Sequence, residues 1–123
     1  MTTTEMFVDG VLTLELCEDP ENVTVKWRGR SMARDPGPFI LPVLTRALDL
    51  GQKANKPVVL DFRDLEYLNS STISPVIRIL EQAKRGEARL TVCYRNDLKW
   101  QALSFSALYL FQTADGRIAI KSV

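Results

Sequence analysis

An apolar segment that leads into a run of small polar residues is the feature that most constrains this chain. Residues 58–62 are apolar except for Asp61, and Asn69-Ser70-Ser71-Thr72 follows after a short acidic stretch. The apolar run is typical of a central strand covered on both faces. Apolar residues recur at helical spacing between Ile73 and Ala83, which predicts a helix beginning near the hydroxyl groups. Small nucleophilic side chains are therefore expected at the positive end of a helix.

Two starting points for this helix fit the sequence. Ser74-Pro75 is a common helix start, with the serine as cap and the proline in the first turn. A start at Ser70 instead places Pro75 about one turn inside the helix, where it removes one backbone hydrogen bond. In both registers Ser70 and Ser71 are expected to be accessible, either on an exposed loop or in the first turn.

The rest of the chain alternates between strand-like and helix-like segments. The predicted strands other than 58–62 are 11–16, 23–27, 88–94 and 118–120. One further helix is expected after the turn at 34–38, and another between Asp97, as its cap, and Phe111. This order of segments predicts strands that are joined mainly by helices.

The connections between these segments indicate the fold class. The turn at 18–22 joins the first two strands as an antiparallel hairpin, and Gly29 marks the point where the chain leaves the sheet. Strands separated by helices require right-handed crossovers and a mostly parallel sheet. We therefore expect one α/β domain over residues 1–123, with a mixed, mostly parallel sheet, an N-terminal β-hairpin and three helices.

Composition excludes several classes of function. Sixteen basic and fifteen acidic residues give a net charge of +1, so a basic surface for nucleic acid is not expected. The absence of histidine removes Ser-His-Asp triads and most zinc sites. Cys17 and Cys93 lie in strand-like runs and are expected to be reduced core residues. Residues 1–5 lack the features of a signal peptide, and no segment approaches the roughly 20 apolar residues of a membrane span, so a cytoplasmic location is expected.

The strand ending near Asp61, the loop after it and Asn69-Ser70-Ser71-Thr72-Ile73 resemble the Asp-Ser-Ser-Gly-Leu signature of STAS domains, the bacterial anti-sigma factor antagonists. Residues 23–29 are similar to the second strand of that family and its glycine. Residues 100–111 are similar to its third helix. The resemblance implies a STAS-like domain over the whole chain.

This resemblance implies a phosphoprotein that switches partners. In the family, a partner kinase phosphorylates the second serine of the signature, which is Ser71 here. The unphosphorylated form binds the kinase or another anti-sigma-like regulator, phosphorylation releases it, and a separate phosphatase resets the switch. A related group of phosphorylatable regulators carries an asparagine before a Ser/Thr run. The hydroxyl directly after that asparagine matters there, which points to Ser70.

The expected partner surface contains Asn69, Thr72 and Ser74, with Arg30 and Arg34 on a neighbouring loop. The resemblance implies a non-enzymatic regulator of signal transduction and transcription, with protein partners and no catalytic residue, metal or cofactor. Neither nucleic acid nor membrane is expected as a partner, and a homodimer stays open.

Three alternatives remain open at this stage. The same pattern fits a phospho-regulated STAS adaptor that controls another signalling enzyme instead of an anti-sigma factor. Asn69 and Thr72 replace the aspartate and glycine of the signature, which suggests an adaptor that binds constitutively and is never modified. Asp61 and Asp64 at the end of a strand suggest an Mg²⁺-dependent enzyme.

Overall fold

The computed structural model describes residues 1–123, which form seven strands, three α-helices and one 3₁₀ helix. The strands are β1 (Thr3–Asp9), β2 (Leu12–Glu18), β3 (Val23–Ser31), β4 (Val58–Asp61), β5 (Leu65–Leu68), β6 (Leu90–Tyr94) and β7 (Ile118–Ser122). The helices are α1 (Gly37–Ala54), α2 (Ser70–Arg85), α3 (Lys99–Phe105) and the 3₁₀ helix (Ser106–Phe111).

All seven strands belong to one mixed sheet. Six of them follow the order β1-β2-β3-β4-β6-β7, and β5 pairs with β3 beyond the point where β4 ends. The pairings β1–β2 and β2–β3 are antiparallel, and every later pairing is parallel. The predicted α/β fold, with a mostly parallel sheet, an N-terminal hairpin and three helices, is therefore confirmed.

Strand β1 has no counterpart among the predicted strands. Its side chains are largely exposed, including Met6 and Val8, so the apolar alternation that marks a half-buried strand is weak. The sequence does contain an Asp-Gly pair, Asp9-Gly10, which is typical of tight hairpin turns. In the structure Gly10 has the positive φ of +61° that such turns favour.

The helices cover only one face of the sheet. The order β3-β4-β6-β7 advances in one direction, so crossovers of one hand place every helix on the same side. Val25 and Leu60 point into this layer and are fully buried, whereas Thr24 and Val59 on the other face are partly exposed. The prediction that β4 is covered on both faces is therefore wrong.

Both cysteines lie on the open face of the sheet. Cys17 and Cys93 are free and half-buried, so they are not the core residues that the sequence predicted. Burial raises the pKa of the Cys93 thiol, and the nearby Asp61 carboxylate raises it further. The neutral thiol is therefore the favoured form of Cys93.

Strand β3 continues through Gly29 instead of ending there. Gly29 has a φ of +84°, and a Cβ atom at this position would lie 2.0 Å from the Val11 carbonyl oxygen. The parallel partner of β3 changes from β4, which pairs up to Lys26, to β5, which pairs from Gly29 onward, and the register with β5 shifts between Gly29 and Arg30. The last residues of β3 are thereby brought beside the segment that leads into α2, and the Asn69 N–H donates to the Ser31 carbonyl at 3.0 Å.

A buried glutamine fixes the turn before β5. Gln101 in α3 is fully buried, and its Nε2 donates to the carbonyls of Phe62 at 2.7 Å and Leu65 at 3.1 Å. Its Oε1 accepts from the Arg95 backbone N–H at 2.8 Å. These three hydrogen bonds connect the segments that follow β4 and β6 with the start of β5. The predicted loop after β4 therefore forms a turn and a short strand.

The third helix is shorter than predicted. It ends at Phe105 and continues as the 3₁₀ helix to Phe111. Asp97 does not cap it, because both carboxylate oxygens accept from the Arg95 guanidinium, at 2.9 and 2.7 Å. None of the helices combines the length and apolar character that crossing a membrane requires.

Candidate functional site at the start of helix α2

Asn69 caps helix α2 and so decides between the two predicted starting points. Its backbone is extended, with φ −91° and ψ 169°, and its Oδ1 accepts from the Thr72 backbone N–H at 3.1 Å. The helix therefore begins at Ser70, and Pro75 lies inside it. Since proline has no N–H, the carbonyl of Ser71 loses its usual helical donor.

A chain of side-chain hydrogen bonds anchors this cap to the sheet. The Thr72 hydroxyl donates to Asn69 Oδ1 at 2.7 Å, which leaves the Ser31 hydroxyl to donate to Thr72 Oγ1 at 2.6 Å. The Asn69 Nδ2 group donates in turn to the Ala33 carbonyl at 2.9 Å. The start of α2 is therefore fixed both to the end of β3, through Ser31, and to the loop after β3, through Ala33.

Thr72 serves this internal network and does not reach the surface. It is 0% exposed, so the expectation that its side chain contacts a partner is corrected. Asn69 is half-buried and engaged as the cap, while Ser70 and Ser74 are exposed and Ser71 is partly exposed. The hydroxyl groups of the first turn thus divide into one structural group and three accessible ones.

The first turn of α2 also presents unpaired backbone donors. The N–H groups of Ser70 and Ser71 have no acceptor in the chain, as is usual for the first residues of a helix. These donors and the positive end of the helix dipole favour negative charge at this position. The site is therefore electrostatically suited to a phosphate carried by one of its serines.

A shallow pocket of about 290 Å³ lies between the starts of α1 and α2. We call it the α1–α2 pocket; it is lined by Arg34, Asp35, Pro36, Gly37, Leu41, Ser71, Ser74, Pro75 and Arg78. Ser71 and Ser74 thus share a recess with two guanidinium groups, from Arg34 and Arg78. The sequence prediction missed Arg78, although its spacing from Ser74 places both on one helix face once the helix register is known.

Arg30 lies beside this pocket and not in it. Its guanidinium stands 5.7 Å from the ring centre of Tyr67, an arrangement typical of a cation–π contact. Arg30 also lines a second recess of about 230 Å³ together with Val11 and Met32. Pro36 borders both recesses, so the two predicted arginines flank the start of α2 on adjoining surfaces.

The acidic residues after β4 do not form a free carboxylate pair. Both oxygens of Asp61 accept from the Arg63 guanidinium at 2.9 Å, and Oδ1 also accepts from the Arg63 N–H. Burial alone would raise the pKa of Asp61, but these hydrogen bonds outweigh it and hold the pKa below its usual value. No three acidic, cysteine or histidine side chains converge as a metal-binding group. The structure therefore does not support the hypothesis of an Mg²⁺-dependent enzyme that uses Asp61 and Asp64.

No family model matches the chain, and no curated protein matches it. The resemblance to STAS domains thus depends on the residues of this chain alone.

Proposed function

We propose that this protein is a non-enzymatic, cytoplasmic signalling module of the anti-sigma factor antagonist type, whose affinity for a protein partner is set by phosphorylation at Ser71 or Ser70. The observation that carries the proposal is the position of these two serines. Both are accessible in the first turn of a helix whose start is fixed to the sheet through Asn69.

A phosphate at this position changes the surface strongly. It adds about −1.5 to −2 charges and three acceptor oxygens where the unmodified protein presents a neutral hydroxyl. A partner surface complementary to the neutral hydroxyl would then repel the phosphate with its acidic groups and would bury the phosphate charge without pairing it. A change of about 1.4 kcal/mol in binding free energy already alters the dissociation constant tenfold.

The surroundings of the two serines fit a protein partner. Tyr67, Met32 and Val11 are 41%, 51% and 58% exposed, and Arg30 lies among them. Exposed apolar side chains mixed with arginine and tyrosine are typical of interface cores. We propose this surface as the contact for a kinase or an anti-sigma-like regulator.

The two departures from the STAS signature do not weaken the proposal. Asn69 caps the helix as an aspartate would. Thr72 points inward, so its branched side chain does not obstruct a kinase that approaches Ser70 or Ser71. Both observations are therefore compatible with phosphorylation at Ser70 or Ser71. An adaptor that controls another signalling enzyme uses the same surface and the same switch.

Alanine and aspartate variants at residues 70 and 71 test the proposal in source cells. Ser71→Asp or Ser70→Asp is expected to reduce recovery of the partner in a pull-down, while the matching alanine variant retains it. Intact-mass measurement should show one added phosphate on the wild type and none on the alanine variant of the modified serine. Thr3→Asp is the matched control, since Thr3 is exposed at the opposite end of the sheet.

Equal recovery with all four variants, together with an unmodified mass under every growth condition, would contradict the proposal. That result would instead indicate the constitutive adaptor.

A further inference from the structure

Two arginines of the α1–α2 pocket have no acidic partner in the chain. The five ion pairs of the protein involve other basic residues, and neither Arg34 nor Arg78 donates a side-chain hydrogen bond. Both are exposed and both line the pocket that contains Ser71. Asp35 is the only carboxylate that lines it. The pocket therefore carries an excess of uncompensated positive charge.

Helix geometry directs one of these arginines toward Ser71. Ser71, Ser74 and Arg78 are spaced by three and four residues and share one face of α2. Long side chains on a helix tend to lean toward its N-terminus, a direction that would bring Arg78 over Ser74 toward Ser71, and all three residues line the pocket. Arg34 lies in the loop before α1 and also lines the pocket.

We propose that a phosphate on Ser71 is held by Arg34 and Arg78 of the same chain, so that modification closes the α1–α2 pocket. The inference rests on the proposed function for the modification itself. In that step a nucleoside triphosphate donates its terminal phosphoryl group to Ser71 Oγ, the hydroxyl proton is released, and the nucleoside diphosphate leaves. The guanidinium groups then donate charge-assisted hydrogen bonds to the phosphate oxygens.

This arrangement gives the two candidate serines different consequences. Ser70 does not line the pocket, so a phosphate there stays open to solvent and to a partner. A phosphate on Ser71 instead joins the loop before α1 to helix α2. Phosphorylation at Ser71 therefore changes the shape as well as the charge of the surface that adjoins the proposed partner contact.

Phosphorus-31 NMR of the full chain with phosphoserine incorporated at residue 71 tests this inference. The second pKa of phosphoserine is about 6. Two nearby guanidinium groups should lower it by about one unit relative to phosphoserine placed at residue 70. Both phosphates lie at the same helix N-terminus, so the difference between them reports the pocket and not the helix.

Substitutions of the arginines identify the groups responsible. Arg34→Ala and Arg78→Ala should each restore a substantial part of the lowered phosphoserine pKa, and Arg78→Lys should retain most of the shift. Arg85→Ala is the matched control, because it removes an exposed charge from the far end of α2. Circular dichroism verifies that every variant is folded.

Equal phosphoserine pKa values at residues 70 and 71, or a shift that survives both alanine substitutions, would overturn the inference. The titration requires neither kinase nor partner. Its failure therefore leaves the proposed partner switch standing, whereas a partner indifferent to phosphorylation contradicts the switch without affecting the titration.

Discussion

Thr72 illustrates how burial assigns a role to a single residue. It belongs to the same run of hydroxyls as Ser70 and Ser71, and its side chain joins the Asn69 side chain to the Ser31 hydroxyl of β3. A buried hydroxyl that donates once and accepts once is satisfied, and removing it leaves both partners short of a hydrogen bond. We therefore regard Thr72 as a residue that holds the first turn of α2 in place.

Thr72→Val tests this role, because valine has nearly the same shape but no hydroxyl. We expect the free energy of unfolding in urea to fall by about 1–3 kcal/mol, since the buried Ser31 hydroxyl loses its acceptor. A double-mutant cycle with Ser31→Ala should give a coupling energy of about 0.5–3 kcal/mol. A Thr72→Val protein as stable as the wild type would show that the network contributes nothing.

At the scale of elements, the site depends on the change of partner along β3. The strand pairs with β4 up to Lys26 and with β5 from Gly29 onward. Gly29 is the first residue of β3 that pairs with β5, and a Cβ atom there would clash with the Val11 carbonyl oxygen. Without this change of partner, Ser31 would not lie beside Thr72, and the Asn69 cap of α2 would lose its hydrogen bonds to β3.

Gly29→Ala is expected to be strongly destabilising, because its Cβ would clash with the Val11 carbonyl oxygen at 2.0 Å. Gly116→Ala is the matched control: it has a similar φ of +77° but open space around the new Cβ. The control should cost about 1–2 kcal/mol from backbone strain alone. Urea unfolding of both variants measures the difference, and equal losses would mean that the clash is relieved without cost.

The sequence predicted the elements with strong periodicity and missed those created by tertiary pairing. The α2 stripe and the β4 and β6 runs were identified because their apolar patterns are local. β5 was not, since Leu65–Leu68 becomes a strand only by pairing with β3. At the site, Ser70 and Ser71 were predicted from residue type and spacing. Arg78 was missed because its relation to Ser71 depends on the helix register that Asn69 decides.

At the scale of the whole molecule, the two faces of the sheet differ in burial. The helices, the buried core and the first turn of α2 share one side of the sheet, while the other side is open and carries ionic residues. Asp61 on this open side is nearly buried beneath its ion pair with Arg63. We therefore expect Asp61 to contribute to the stability of the fold.

Asp61→Asn tests that assignment through pH. The folded-state pKa of Asp61 is lowered, so its stabilisation is present above the unfolded value of about 3.9 and is lost as pH falls through the folded pKa. We expect the variant to be about 1–2 kcal/mol less stable at pH 7, allowing for the half-exposed Arg63. The difference from wild type should shrink below about pH 4 in denaturant titrations. A difference that is the same at pH 3 and pH 7 would contradict the assignment.

The central claim concerns a charge at the start of α2 that a protein partner detects. Its most direct test compares baits with unmodified serine and with phosphoserine at residue 71 or 70, using quantitative mass spectrometry of the proteins each retains from source cells. We predict at least one partner whose retention falls about tenfold or more with phosphoserine at one of the two positions, which corresponds to about 1.4 kcal/mol. Identical retention by all three baits would contradict the account.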